Sequence, residues 1–124
     1  MSVSGSIGIK LGPFYYMLTL AHNGWIAADM VQYIDDILEA TDKEVAILKL
    51  LGYTMEVGQT PPSRRSDHWV EVDLENQVLT TNSDLIRKAV DEKPPEPEDP
   101  YSPVALKRVH RVLDAYDFTV RLVS

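Results

Sequence analysis

Ser66, Asp67 and His68 place a hydroxyl, a carboxylate and an imidazole in consecutive positions, the three side-chain types of nucleophilic hydrolysis. Consecutive side chains point apart on a strand or loop, so this adjacency does not itself make a proton relay. The histidines His22, His68 and His110 never recur at a spacing of three or four residues, the spacing that puts two imidazoles on one helix face for a metal. The chain has no cysteine, which removes thiolate zinc sites, a cysteine nucleophile and disulfide staples together. Asp35 and Glu39 lie four apart with Asp36 adjacent. That spacing could share a divalent cation or pair carboxylates for proton transfer, and it equally describes the solvated face of an acidic helix. No glycine-rich phosphate loop, GxSxG elbow, HExxH or dinucleotide fingerprint occurs. The sequence names no catalytic residue, metal ligand or cofactor, and the protein is expected not to be an enzyme.

Residue types suited to binding are easier to find. Arg64-Arg65 occupy a turn-rich stretch, and Arg108 and Arg111 lie on a basic helix near the C-terminus. If the fold brings them together they would clamp a carboxylate or phosphate; the alternative is that they pair with acidic residues across an interface. Tyr15, Tyr16, Trp25 and Trp69 would line either a small-molecule pocket or the core.

Charge is unevenly spread. Twelve Lys and Arg face nineteen Asp and Glu, a net charge of −7 that repels nucleic acid on average. Between Asp29 and Glu44 six acids (Asp29, Asp35, Asp36, Glu39, Asp42, Glu44) stand against Lys43 alone. The stretch from Pro103 onward instead carries Lys107, Arg108, Arg111 and Arg121 against Asp114 and Asp117. Such end-to-end polarity suits head-to-tail or self-complementary contacts, and charged helix faces that keep the protein soluble account for it as well.

Positioning these groups falls to one domain over 1–124, since 124 residues with 44% hydrophobic content suffice for a single core. No apolar run is long enough to span a bilayer and no secretory leader is evident at the start, so a cytoplasmic protein is expected. The clearest segment is His68 to Val90. Val70, Val72 and Leu74 alternate with Glu71 and Asp73, a turn falls near Glu75-Asn76, and Val78 to Thr81 makes the return strand. Asn76 is expected to take the left-handed turn position. Thr81-Asn82-Ser83-Asp84 then caps a helix whose buried face is Leu85, Ile86, Ala89 and Val90.

Upstream, 1–5 is a small-residue arm with nothing to bury and is expected to be mobile unless a neighbour holds it. Ser6 to Leu11 and Phe14 to Leu20 predict a hairpin about Gly12-Pro13, with Gly8 either weakening the first strand or admitting close backbone approach. Phe14 to Leu20 is apolar enough to be buried on both faces or to face a partner. Trp25 to Ala40 predicts one continuous amphipathic helix with Ile26, Met30, Tyr33, Ile34, Ile37 and Leu38 inside. Thr41 to Glu44 reads as a capping box opening a helix from Asp42 to Leu51, closed by Gly52. That helix is apolar nearly all round, so Ile47 and Leu50 are expected in the core or at an interface. A weak edge strand at Tyr53 to Val57 leads to the turn-rich loop 58–67.

Five of the eight prolines fall in 93–103, which predicts an extended arm. A last helix follows from Ser102-Pro103, with Ala105, Val109, Val112, Leu113 and Tyr116 as its apolar face. Phe118 to Val123 makes a final strand.

The order predicts an α+β domain, a mostly antiparallel sheet with helices packed on one face. The function it suggests is a non-enzymatic interaction or assembly subunit, such as a small structural or accessory protein of a phage or virus. The surfaces expected to meet a protein partner, or another copy in a homo-oligomer, are Asp29, Asp35, Asp36, Glu39, Ile47, Leu50 and the arm prolines Pro94, Pro95, Pro97 and Pro100. An acidic inhibitor, immunity or chaperone-type protein for a basic partner, and a binder of an anionic small molecule, are the alternatives.

Overall fold

Alternation of apolar residues decides which side of each strand meets the main core. In the computed structural model, which describes residues 3–91 and 104–123, strands β1 (Gly5–Leu11) and β2 (Phe14–Leu20) form the expected hairpin. Gly12 supplies the left-handed turn residue at φ 60°. Ile7 stands opposite Leu18 and Ile9 opposite Tyr16, so the inward rows match across the ladder. The outward row of β2, Tyr15, Met17 and Thr19, is only partly covered, so this strand is buried on one face rather than two.

Strands β4 (His68–Asp73) and β5 (Val78–Thr81) form the second hairpin, and helix α4 (Asp84–Asp91) follows directly, as the sequence predicts. The left-handed turn position belongs to Gln77 at φ 55°, not to Asn76. The Asp73 carboxylate explains the shift: it accepts from the Glu75 and Asn76 backbone N–H groups at 3.1 Å each and from the Asn76 amide at 2.9 Å. Asn76 is thereby held inside the turn, and the reversal into β5 passes to the next residue.

The sheet order is β3-β2-β1-β4-β5-β6, with β3 (Glu56–Gly58) and β6 (Thr119–Leu122) at the edges. The pairs β1/β2, β2/β3 and β4/β5 are antiparallel, whereas β1/β4 and β5/β6 are parallel. Ile7, Ile9, Val70, Val72 and Leu79 therefore point to one face, where all the helices lie. They meet Ile34 and Ile37, Ile47 and Leu51, Ile86 and Ala89, and Val109, Val112 and Leu113 in one continuous core. Each fully buried aliphatic side chain there is worth about 1.5–3 kcal/mol of transfer free energy.

The segment expected to be one long helix is three short pieces: α1 (Ile26–Asp29), a 3₁₀ turn (Met30–Tyr33) and α2 (Ile34–Leu38). Its buried residues are Ala27, Ala28, Val31, Ile34 and Ile37, and the last four recur every three residues. Three residues per turn is the 3₁₀ period, and an α-helix would rotate that row off the core. The Gln32 amide donates to the Asp29 carbonyl at 2.9 Å, close to the junction.

Helix α3 (Lys43–Leu51) begins one residue after Asp42, whose carboxylate accepts from the Val45 N–H at 3.2 Å, so Asp42 and not Thr41 is the cap. Gly52 closes it at φ 86°, donating to the Leu48 carbonyl at 2.7 Å. Helix α5 (Val104–Ala115) packs on the 3₁₀ turn and on α4. The proline-rich stretch 93–103 lies outside the described residues.

The N-terminal arm is held by the protein's own backbone. Ser4 donates its N–H to the Asp67 carboxylate at 2.9 Å, and the Gly24 N–H donates to the Val3 carbonyl at 2.8 Å. The expectation of mobility fails for Val3 and Ser4 because two glycines let the strands touch: a Cβ on Gly5 would sit 2.3 Å from the Gly24 carbonyl oxygen.

Candidate interaction sites on the two faces of the sheet

Ser66, Asp67 and His68 are each committed to holding loops. Asp67 accepts from the Ser4 N–H and hydroxyl, and its own N–H donates to Ser4 Oγ at 3.0 Å. The Ser4 backbone bond first, then its side-chain bond, lowers the Asp67 pKa. His68 Nδ1 lies 3.1 Å from the hydroxyl of Ser83, which is buried. The Ser66 and Asp67 carbonyls accept from the Asn82 amide. Asn82 Oδ1 in turn accepts from the Trp69 N–H at 2.8 Å, and the Thr81 hydroxyl donates to the Trp69 carbonyl at 2.7 Å. Thr81 Oγ1 also accepts from the Ser83 N–H at 3.0 Å, so the polar run before α4 ties the start of β4 to the approach to the helix.

Loop 58–67 crosses the face of the sheet opposite the helices. Pro62 sits over Gly8, where a Cβ would come within 2.7 Å of its ring. Arg64 lies 4.7 Å above the Trp69 ring and makes two bonds of 2.9 Å to the Glu71 carboxylate. Trp69 is therefore only 5% exposed although it faces away from the main core. Arg65 beside it is exposed.

Of the arginines expected to form an anion site, Arg64 and Arg111 lie on opposite faces of the sheet. Arg64 is engaged with Glu71 on one side of the sheet, while Arg111 is exposed on α5 on the other. The Arg108 side chain is outside the described residues. Among the aromatic candidates, Tyr16 is buried under α3, where desolvation first and then the Glu44 carboxylate raise its pKa. Trp25 is exposed and Tyr15 lies on the open face.

The acidic segment surrounds the larger depression. Between α2 and α3 runs a groove of about 690 Å³, walled by Tyr33, Ile37, Ala40, Val45, Ala46 and Leu50. Tyr33 is 40% and Val45 45% exposed along it. Asp36, Asp42 and Lys49 form its rim. Lys43 is turned away, its ammonium 3.4 Å from both the Leu38 and Ala40 carbonyls at the end of α2.

Of the residues expected at an interaction surface, Asp36 and Leu50 line this groove and Ile47 does not. Ile47 is fully buried beneath α3, because the inward stripe of that helix runs through Ile47 and Leu51. Glu39 accepts a hydrogen bond from the Tyr116 hydroxyl, which ties α2 to the end of α5 and pushes the Tyr116 pKa up to about 12. Asp35 accepts from the Asp36 N–H at 3.0 Å, and Asp29 is half-buried with a pKa raised by desolvation. Asp35 and Glu39 therefore each have a partner within the chain. Pro94, Pro95, Pro97 and Pro100 lie outside the described residues.

Sequence reading missed the groove because its walls come from two helices whose relative placement only the fold defines. The signal present was the over-apolar α3. Among the described residues no helix is long and apolar enough to cross a membrane, and no cluster of His, Asp and Glu could hold a metal. What fold and sites together define is an α+β domain with a helical face bearing an acid-rimmed apolar groove and a sheet face crossed by a loop. No family model matches the chain, nor does any curated protein or solved structure.

Proposed function

We propose that the protein is a non-enzymatic interaction or assembly subunit that receives a basic, amphipathic segment of a partner protein in the α2–α3 groove. The observation that carries this reading is an apolar trough left open between two helices and edged by Asp36 and Asp42, with Lys49 as the one cation on its rim. Leaving Tyr33 and Val45 in water forfeits apolar burial that a partner would recover. An apolar stripe flanked by Lys or Arg satisfies both the walls and the rim, in the helix-in-groove manner. The cytoplasm, or a phage or viral particle assembled there, is the setting this reading proposes.

The test uses the full-length protein purified at low salt from its native cells, with light scattering of the protein alone as reference. A basic protein should co-purify, its binding weakening steeply with ionic strength. Val45→Asp should abolish that binding with an unchanged thermal midpoint, since Val45 projects from the surface. Equal retention by the Val45→Asp variant, or binding indifferent to salt, would sink the proposal. Recovery of this chain alone as a multimer would instead make the groove's occupant a second copy.

A further inference from the structure

The open face of the sheet carries a second depression, independent of the α2–α3 groove. It has a volume of about 360 Å³ and is lined by residues that strand register alone brings together. Lys10 stands opposite Tyr15 on β2 and opposite Asp73 on β4; Thr80 on β5 stands opposite Glu71 on one side and Arg121 on β6 on the other. Arg64, fixed over Trp69 by its stacking and its pair with Glu71, supplies one wall.

The lining holds three cationic side chains, Lys10, Arg64 and Arg121, against the carboxylates of Glu71 and Asp73. Both carboxylates already accept hydrogen bonds, Glu71 from a cation and Asp73 from neutral amides. Glu71 takes two donors of Arg64 at 2.9 Å each, and Asp73 takes the Glu75 N–H, the Asn76 N–H and the Asn76 amide. The Lys10 ammonium stands 3.9 Å from Asp73, a loose ion pair that an anionic ligand would share. The Arg121 guanidinium and the Tyr15 and Thr80 hydroxyls bond to no other described residue. With Arg64 matched by Glu71 and Lys10 facing Asp73, the cleft has one cation in excess, Arg121, beside two hydroxyl donors, in a protein whose net charge is −7.

Three strand steps of about 4.8 Å separate β1 from β6, and Arg121 lies two residues along from the row of Lys10, so the two side chains reach one ligand only by leaning toward each other across the cleft. We propose that this cleft binds a small organic anion, its phosphate or carboxylate group held between Lys10 and Arg121 and receiving hydrogen bonds from Tyr15 and Thr80. Arginine's planar fork matches both groups. The volume exceeds a bare ion and reaches the lower range of organic-ligand pockets, so the anion carries a body of about sugar size.

The ¹⁵N-labelled full-length protein is titrated at low ionic strength with inorganic phosphate, ribose 5-phosphate and succinate, following backbone amide shifts. Saturable shifts confined to the strands around Lys10, Thr80 and Arg121 are expected with at least one probe, and the tightest probe separates phosphate from carboxylate recognition. Arg121→Gln and Lys10→Gln should each weaken that binding at least tenfold while the rest of the spectrum stays in place. The Val45→Asp variant of the groove should bind as the parent does. Absence of saturation with all three probes, shifts spread equally to Arg65, Lys88 and Arg111, or binding unchanged in both variants would overturn the proposal.

Discussion

Asp67 and Asp73 each anchor a loop by accepting several donors at once, and their acid–base behaviour follows from that. Ser4 lowers the Asp67 pKa through its backbone and then its side-chain bond. Desolvation pulls the Asp73 pKa up, but the Asn76 bonds, the Lys10 charge and the Glu75 bond outweigh it and the net shift is downward. A carboxylate whose folded pKa lies below the unfolded value of about 3.9 adds stability that is complete above that value. The contribution is lost as pH falls through the folded pKa. Asp29, raised by burial, has the opposite sign and costs stability once it ionises. Urea midpoints measured from pH 7 to pH 2 should therefore fall below about pH 4, and the Asp67→Asn/Asp73→Asn double variant should be weaker at neutral pH with a shallower acid limb. An unchanged limb would assign acid sensitivity to other carboxylates.

Gly8 offers a steric test at the same scale. A methyl there meets the Pro62 ring at 2.7 Å, so Gly8→Ala should cost about 1–3 kcal/mol, the range for overpacking, and should lift loop 58–67 enough to expose Trp69. A red shift in tryptophan emission together with a lower denaturation midpoint would report both effects. Gly8 was legible as a point of close approach from its place in a strand. Its partner was not, because Pro62 lies in a loop whose path no periodicity records. The Asn76 to Gln77 displacement has a similar origin: propensity identifies the residue best suited to a left-handed conformation, and one carboxylate two or three positions away can override it.

The elements that the sequence predicts well are those whose period matches their environment. β4, β5 and α4 carry clean alternation followed by helical spacing, and they appear where expected. The segment from Ile26 to Leu38 was misread as one helix because its visible aliphatic and aromatic residues fit a 3.6-residue period, while the small Ala28 and Val31 that complete the buried row fit a period of three. Cap chemistry was legible to within one residue. Asp42→Ala should destabilise by about 1 kcal/mol, the usual worth of an N-cap carboxylate, and Thr41→Ala by less than half of that, since only Asp42 bonds the Val45 N–H. Thermal denaturation of the two variants side by side separates the alternatives, and equal losses would restore Thr41 as the cap. Because α3 forms one wall of the groove, Asp42→Ala should also weaken partner binding more than its rim charge alone explains. A charge-matched Asp36→Ala variant provides that comparison.

At the scale of the whole molecule, the parallel pairs β1/β4 and β5/β6 lay beyond sequence reading. Alternation identifies which face of a strand is buried but not which neighbour it takes, and a parallel pair leaves no turn signature. Those two pairs nevertheless decide how the domain behaves as a unit. The β1/β4 pair welds the two hairpins into one sheet, and the β5/β6 pair brings the C-terminal strand back after α4 and α5 have crossed the helical face. The core runs without a break from Ile7 on the first strand to Val112 and Leu113 on the last helix. No part of that core can be exposed without uncovering another, so unfolding should be all-or-none. Ile7→Ala and Val112→Ala lie at opposite ends of the chain. The isoleucine change should cost about 2–5 kcal/mol and the valine change somewhat less, in keeping with its smaller volume. Each should lower the single transition seen by circular dichroism, by several degrees per kcal/mol, while tryptophan fluorescence follows the same curve. Two separated transitions in the Val112→Ala variant, with the first confined to the C-terminal segment, would instead mean that α5 and β6 dock as an independent unit onto a sheet that is stable without them.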